Sequence, residues 1–251
     1  MEDLRYIYSV ARVKVLETRL LKKEIFLNLL QAQRLDTALR ILTENPSYAG
    51  DILNIQDSAD IDTFMNLEKQ KLERQARELF VDSFLFKALL YLRKDLLQSY
   101  ALIMQTRSQF LKDFIQRFVD LYNIKTFLRM RYQRSPLENL KINLVEGGYI
   151  PKTSFINLFS QGKIDFYTEI IKEGIAKIEK EGDFSILERE MEDYLIRLLK
   201  PAKHMFFGPE AIFGYCLAKE NELRILGLIL LGKINNISPQ QIQERITSTY
   251  V

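Results

Sequence analysis

With 251 residues, 47% of them hydrophobic and 27% charged, the chain has enough apolar material for one large core or two smaller ones. A net charge of +3 permits an acidic partner but is far from the dense basic footprint of a nucleic-acid binder, and a single cysteine excludes an internal disulfide. The longest clean apolar run, Ile225 to Leu231, includes Gly227 and falls well short of the roughly 18 residues of a membrane span. Met1-Glu2-Asp3-Leu4-Arg5 lacks a basic stretch followed by an apolar one, so no secretory signal is expected. Cys216, inside an apolar helical stretch, reads as a small buried hydrophobe in a reducing compartment.

In chain order, a first helix is expected around Ala11-Arg12-Val13-Lys14-Val15-Leu16, with a turn and a second helix at Phe26 to Leu30, and a break at Asn45-Pro46. Neither glycine nor proline occurs between Asp51 and Ser135, and apolar residues recur there at helical spacing, which predicts long helices. Phe110, Leu111, Phe114, Ile115, Phe118 and Tyr122 form an apolar stripe wide enough for a multi-helix core. Breaks are expected at Ser135-Pro136 and at Gly147 to Pro151, with a short helix at Leu137 to Leu144 between them. Behind Asp183, a candidate N-cap, Phe184, Leu187, Met191, Tyr194 and Leu198 mark a helix that stops at Lys200, ahead of Pro201. A turn over Pro201 to Pro209 then leads into a charged helix with a stop at Gly232, a break at Asn235 to Pro239, and a short helix opened by Ser238-Pro239, proline being suited to the first helical position. Strand signals are nearly absent, so the expected class is all-α.

Three segments share an apolar, basic, any, apolar pattern: those around Lys14, Lys125 and Arg224, each followed by a turn and a second helix. Successive basic positions stand roughly a hundred residues apart, which suggests a repeated module bracketed by related hairpins. On that spacing the chain is one all-α domain, 1–251, with internal modules 1–120 and 121–219 and a closing hairpin 220–251. The helices beginning near Ala11, Asn123 and Asn221 are expected to present the three basic residues in related directions.

The tail from Phe207-Gly208-Pro209-Glu210 through Tyr215, Lys219-Glu220-Asn221-Glu222-Leu223-Arg224 and Gly232-Lys233 to Ser238-Pro239 and Glu244-Arg245 closely resembles the C-terminal signature of the C-subunit family of V-type and archaeal-type rotary ATPases, whose eukaryotic counterpart is the d-subunit. Tyr6 to Leu21 is similar to the family's opening helix. Asp120-Leu121-Tyr122-Asn123-Ile124-Lys125 to Arg129, with Gly147-Gly148, resembles its internal hairpin. The resemblance implies a funnel of pseudo-threefold helical modules forming a collar in the central stalk. Its partners would be the central shaft subunits and the membrane rotor (proteolipid) ring. It would couple shaft rotation to proton or sodium transport from the cytoplasmic side, as a peripheral, non-catalytic subunit without nucleotide, metal or other cofactor. Family members typically carry three modules, whereas the spacing here accommodates two.

Taken alone, the residues point the same way. His204 is the only histidine and has no cysteine or paired carboxylates at ligand spacing, which argues against a metal site or a serine triad and for an exposed or capping role. Gly147-Gly148 is followed by Tyr149-Ile150-Pro151 and not by Gly-Lys-Ser or Gly-Lys-Thr, so no phosphate cradle is expected. Charge is polarised: Arg107 to Arg134 holds seven basic residues against two acidic, and Glu169 to Asp193 nine acidic against four basic. These stretches are either solvated or mutually paired helix faces, or a basic rim that orients an acidic partner. The aromatics Phe110, Phe114, Phe118, Phe127 and Tyr132 sit at helical spacing, which favours core packing over base stacking. Glu220 and Arg224 stand in the favourable order for an i, i+4 ion pair, and in a repeated module such charges also fix register between hairpins. Candidate partner-binding residues are Lys14, Lys125, Arg129, Arg131 and Arg224. A free-standing helical scaffold or adaptor is the alternative, and a helical nucleic-acid binder a weaker third; salt-dependent binding separates the last.

Overall fold

The computed structural model describes all residues except 1–3, 50–51, 53–54, 160 and 162–165. The described residues are all-helical, without a strand, as the periodicity requires. A 3-10 turn (Leu4–Tyr6) leads into α1 (Ile7–Glu17), followed by α2 (Lys23–Gln31), α3 (Leu35–Thr43), α4 (Ser58–Leu79), α5 (Ser83–Tyr91), α6 (Leu96–Ile103), α7 (Gln109–Tyr132), α8 (Leu137–Asn143), α9 (Lys152–Phe159), α10 (Thr168–Glu181) and α11 (Ser185–Leu199). A second 3-10 segment (Lys200–His204), α12 (Glu210–Ile234) and α13 (Pro239–Gln243) complete the order. Two compact units form: residues 1–81 with 199–251, and residues 82–198.

The first unit is built around α12. Its residues are buried on every side, and a helix of that kind is stable only when surrounded. Here α1, α2, α3, α4 and the second 3-10 segment all pack on it. Phe213, Cys216, Ile225, Leu226, Ile229 and Leu230 are buried along its length. The core continues through Phe26, Leu29, Leu42, Tyr48, Ile61 and Phe64. At Gly227 a Cβ would lie 3.7 Å from Met65 Cε, an ordinary contact.

The second unit is organised on α7. The α5–α6 pair packs against it through α6, while α8 and α9 fold back along it. Leu111, Phe114, Ile115, Val119, Ile124 and Phe127 face the core. Phe127 meets Phe155 at 6.1 Å and Phe159 edge-on at 5.6 Å. The interleaved aromatics thus divide: Phe114 and Phe127 are core, while Tyr132 is exposed and packs its edge on Phe184.

All five predicted breaks are present. The stretch free of glycine and proline, however, is cut three further times, at 80–82, 92–95 and 104–108. Side-chain caps rather than helix breakers set the last two of the new starts. Asp95 accepts the Gln98 amide at the head of α6, and Ser108 the Leu111 amide at the head of α7. Asp57 and Asp60 form a reciprocal capping box at the start of α4. The stop at Gly232 needs correction. Helix α12 runs on to Ile234 and is terminated by Asn236, whose φ of 53° is left-handed. Gly232 serves packing instead, because a Cβ there would lie 2.5 Å from Ile242 Cδ1. Asp183 accepts the Ser185 amide at 2.8 Å, but Phe184, whose carbonyl accepts the Glu188 amide, holds the cap position of α11, one residue later than expected.

Candidate functional site

Each unit holds a buried acidic side chain at the middle of its longest helix. In α12, Glu222 is 4% exposed and Lys219, one turn earlier, 8%. Glu222 accepts hydrogen bonds from Lys219 Nζ, the Tyr48 hydroxyl and the Leu21 amide. Lys219 also donates to the Tyr48 hydroxyl at 2.8 Å and lies 4.4 Å from the centre of its ring. Burial first, and the adjacent Glu222 second, push the Tyr48 phenol well above its usual range, so it stays a donor. The cluster ties the turn ahead of α2 and the turn after α3 to the central helix.

Beside it, Asn221 and Arg224 hold the end of the chain. Asn221 donates to the Ser248 carbonyl at 3.0 Å, and Arg224 reaches Asn221 Oδ1 at 2.6 Å and Thr247 Oγ1 at 2.9 Å.

In α7, Asp120 is fully buried. It accepts the Ile150 amide at 2.9 Å and the Tyr167 hydroxyl at 3.0 Å. Burial raises its pKa, partly offset by those two donors and by the charge of Arg117. Three residues on, Asn123 exchanges two hydrogen bonds with the backbone of Val145, at 2.8 and 2.9 Å. The turn between α8 and α9 is thereby pinned along α7. Gly148 is required for the approach, since a Cβ there would overlap Asp120 Oδ1. Gly147 has φ +106° and lies against the Tyr100 ring.

The second unit also contains a cleft of about 560 Å³, with Leu96, Phe118, Leu121, Leu144 and Met191 on its walls and Lys94, Lys125, Lys152 and Glu192 among its charged residues. Such a lining suits an apolar side chain with charges around it.

The family model for the ATP synthase (C/AC39) subunit matches residues 80–245. The chain belongs to that family. It is similar to the C-subunit of the V-type sodium ATPase of Enterococcus hirae, with 30% identity over 141 residues, 53% of this chain and 42% of the relative. The C-subunit of the A-type ATP synthase of Pyrococcus furiosus is 28% identical over 144 residues, covering 53% and 39% respectively. That of Methanobrevibacter smithii is 22% identical over 196 residues, covering 73% and 50%. The chain thus spans half or less of the length of these relatives.

Within this C/AC39 chain the five candidate partner-binding residues fall into two groups. Lys14 and Arg224 belong to the first unit. Lys14 pairs with Glu17 at 2.9 Å and donates to the Lys203 carbonyl. Lys125, Arg129 and Arg131 belong to the second. Arg129 contacts Glu188 at 2.7 Å and Lys125 the same carboxylate at 3.6 Å, while Arg131 lies 5.8 Å from the centre of the Phe127 ring. Through Arg129 and Lys125 on Glu188 the basic helix meets the acidic segment inside one unit, where Arg93, in the turn after α5, also pairs with Glu192. Lys14, Lys125 and Arg224 lie within their helices, not near the starts: α7 and α12 begin fourteen or more residues upstream of Lys125 and Arg224. His204 is exposed at the end of its 3-10 turn, and Cys216 is buried, its thiol pKa raised by burial. Among the described residues, no helix is long and apolar enough to cross a membrane.

Asp120 and Glu222 stand inside the sequence motifs, but no pattern in the sequence assigns them a role. Their tyrosine partners, Tyr48 and Tyr167, stand in unrelated sequence contexts. The legible signal is an acid on an otherwise apolar helical face, present in both long helices.

Proposed function

We propose that this C/AC39 chain is a non-catalytic rotor subunit in the central stalk of a V/A-type rotary ATPase or ATP synthase. It joins the central shaft subunits to the membrane rotor (proteolipid) ring, coupling rotation to proton or sodium transport, on the cytoplasmic side and without a membrane span of its own. The observation that carries the reading is the family match over residues 80–245, reinforced by relatives named as subunits of A-type and V-type enzymes. The packing supports it mechanically, because transmitting torque needs close-packed bodies that resist deformation, and each unit is both densely cored and internally clamped.

In this reading Lys125, Arg129 and Arg131 orient the shaft electrostatically, while shape and apolar contacts carry the load; Lys14 and Arg224 hold register within the first unit. Exposed pairs such as Arg129 with Glu188 contribute about 0 to 1 kcal/mol each, so reversing all three charges leaves the unit folded. The test is shaft-subunit binding kinetics for wild type and Lys125→Glu/Arg129→Glu/Arg131→Glu across a salt series. Slower association at low salt, converging at high salt, is expected. Equal association at every ionic strength removes the three residues from the interface. Saturable micromolar ATP binding by the pure chain contradicts the non-catalytic assignment.

A further inference from the structure

Helix α1 and the 3-10 turn ahead of it are apolar on two opposite sides, and only one of them is covered. Tyr6, Val10 and Val13 are buried at 0%, 2% and 0% exposure, packed toward α12 and α4. On the other side Leu4, Ile7, Tyr8 and Val15 are 64%, 47%, 74% and 56% exposed, and Ala11 and Thr18 are exposed between and beyond them. Leu4, Tyr8, Ala11, Val15 and Thr18 recur at alternating intervals of four and three residues, the spacing of a seam that faces another helix. An apolar helix face is normally buried, and among the described residues none covers this side.

The flank of the seam carries the second observation. Arg5 in the 3-10 turn, Arg12 in α1 and Arg19 just past its end recur every seven residues, each directly after a seam position, and Lys14 lies on the opposite flank. Arg5 and Arg19 are exposed; Arg12 is half-buried, lies 6.0 Å from the centre of the Tyr8 ring and pairs with Glu78 at 3.1 Å. Glu17 is the one acidic residue of α1, and it is taken up by Lys14.

We propose that this face docks an amphipathic helix of another protein, with an apolar seam and carboxylates at heptad spacing along its flank. Charge complementarity selects the acidic helix. It disfavours a second copy of α1, because an equivalent face brings arginines against arginines. The small Ala11 between Tyr8 and Val15 lets a helix backbone approach, and the seven-residue period of the arginines matches a helix, whereas a lipid surface imposes no period. The inference is independent of the rotary assignment, since it requires only a helix of that chemistry.

The test uses the full chain and two labelled synthetic peptides of about four heptads, with Ile and Leu in the seam and either Glu or Lys at every flanking position. Fluorescence anisotropy should show the Glu peptide binding at least about tenfold more tightly than the Lys peptide. Tyr8→Glu/Val15→Glu should weaken it by a similar factor with helicity unchanged by circular dichroism, and Arg5→Glu/Arg12→Glu/Arg19→Glu should invert the preference. Should the Tyr8/Val15 variant lose helicity, the arginine variant alone decides. Binding of neither peptide, equal binding of both, or a preference that survives arginine reversal overturns the proposal. So does capture by phosphatidylserine vesicles with no binding of the Glu peptide, which assigns the face to a membrane surface.

Discussion

Glu222 in α12 and Asp120 in α7 occupy corresponding places in their units, yet they are stabilised by different means. Both are buried at mid-helix, and both accept a backbone amide from the turn ahead of a short helix and a hydroxyl from a distant tyrosine. Glu222 has a buried ammonium, Lys219, on its own helix. Asp120 takes its hydrogen bonds from the neutral donors Ile150 and Tyr167, and burial raises its pKa. The clamp therefore includes a buried cation on the same helix in one unit, and neutral hydrogen-bond donors in the other. Two buried acids that look alike in a burial profile should thus respond very differently to neutralisation.

The largest expected effect breaks that comparison directly. Glu222→Gln leaves Lys219 buried without its anion and should destabilise the first unit by about 3 to 5 kcal/mol. Asp120→Asn keeps an acceptor for Ile150 and should destabilise the second by about 1 kcal/mol or less. Urea unfolding, with hydrogen exchange at the Leu21 and Ile150 amides to assign the loss to a unit, checks both. Equal losses would mean that the two clamps do not differ as described.

A smaller effect sharpens it through glycine. Gly148→Ala puts a Cβ against Asp120 Oδ1 and should dislodge the carboxylate, with a loss of about 1 to 3 kcal/mol and faster exchange at Ile150. Gly227→Ala meets only the flexible end of Met65 and should be neutral or stabilising by up to about 1 kcal/mol through helix propensity. The ordering of their denaturation midpoints is the readout.

The smallest effect is in pH. Because Asp120 is raised in the folded state, the folded chain binds its proton more tightly than the unfolded one, whose carboxyl titrates near about 3.9. Its contribution to stability is therefore present below that value and declines as pH rises through the folded pKa. Asp120→Asn should remove that part of the slope, measured as the difference in unfolding free energy across a pH series, whereas an unchanged slope would assign it elsewhere.

Much of the fold is legible in the sequence because apolar periodicity and the glycine and proline breaks act locally. The helices around Lys14, Phe26, Phe114, Leu187 and Ile225 and all five breaks follow from neighbours in sequence. The cuts at 80–82, 92–95 and 104–108 are not, because caps such as Asp95 and Ser108 act through a single hydrogen bond that composition does not reveal. Asn236 ends α12 in place of Gly232 because packing against Ile242 claims the glycine. The polarised charge is visible, but the meeting of Lys125 and Arg129 with Glu188 depends on how α7 and α11 lie together. The clamps are least legible, since Tyr48 and Tyr167 are brought to their acids only by the tertiary fold.

The most direct test of the rotor assignment is co-purification. The chain, tagged and expressed in its own cells, is extracted from membranes in mild detergent and its partners identified by mass spectrometry. The account predicts a membrane rotor ring and a coiled-coil shaft protein in stoichiometric amounts, retained in the presence of ATP. Recovery of the intact rotary complex from the same membranes without this chain would contradict it.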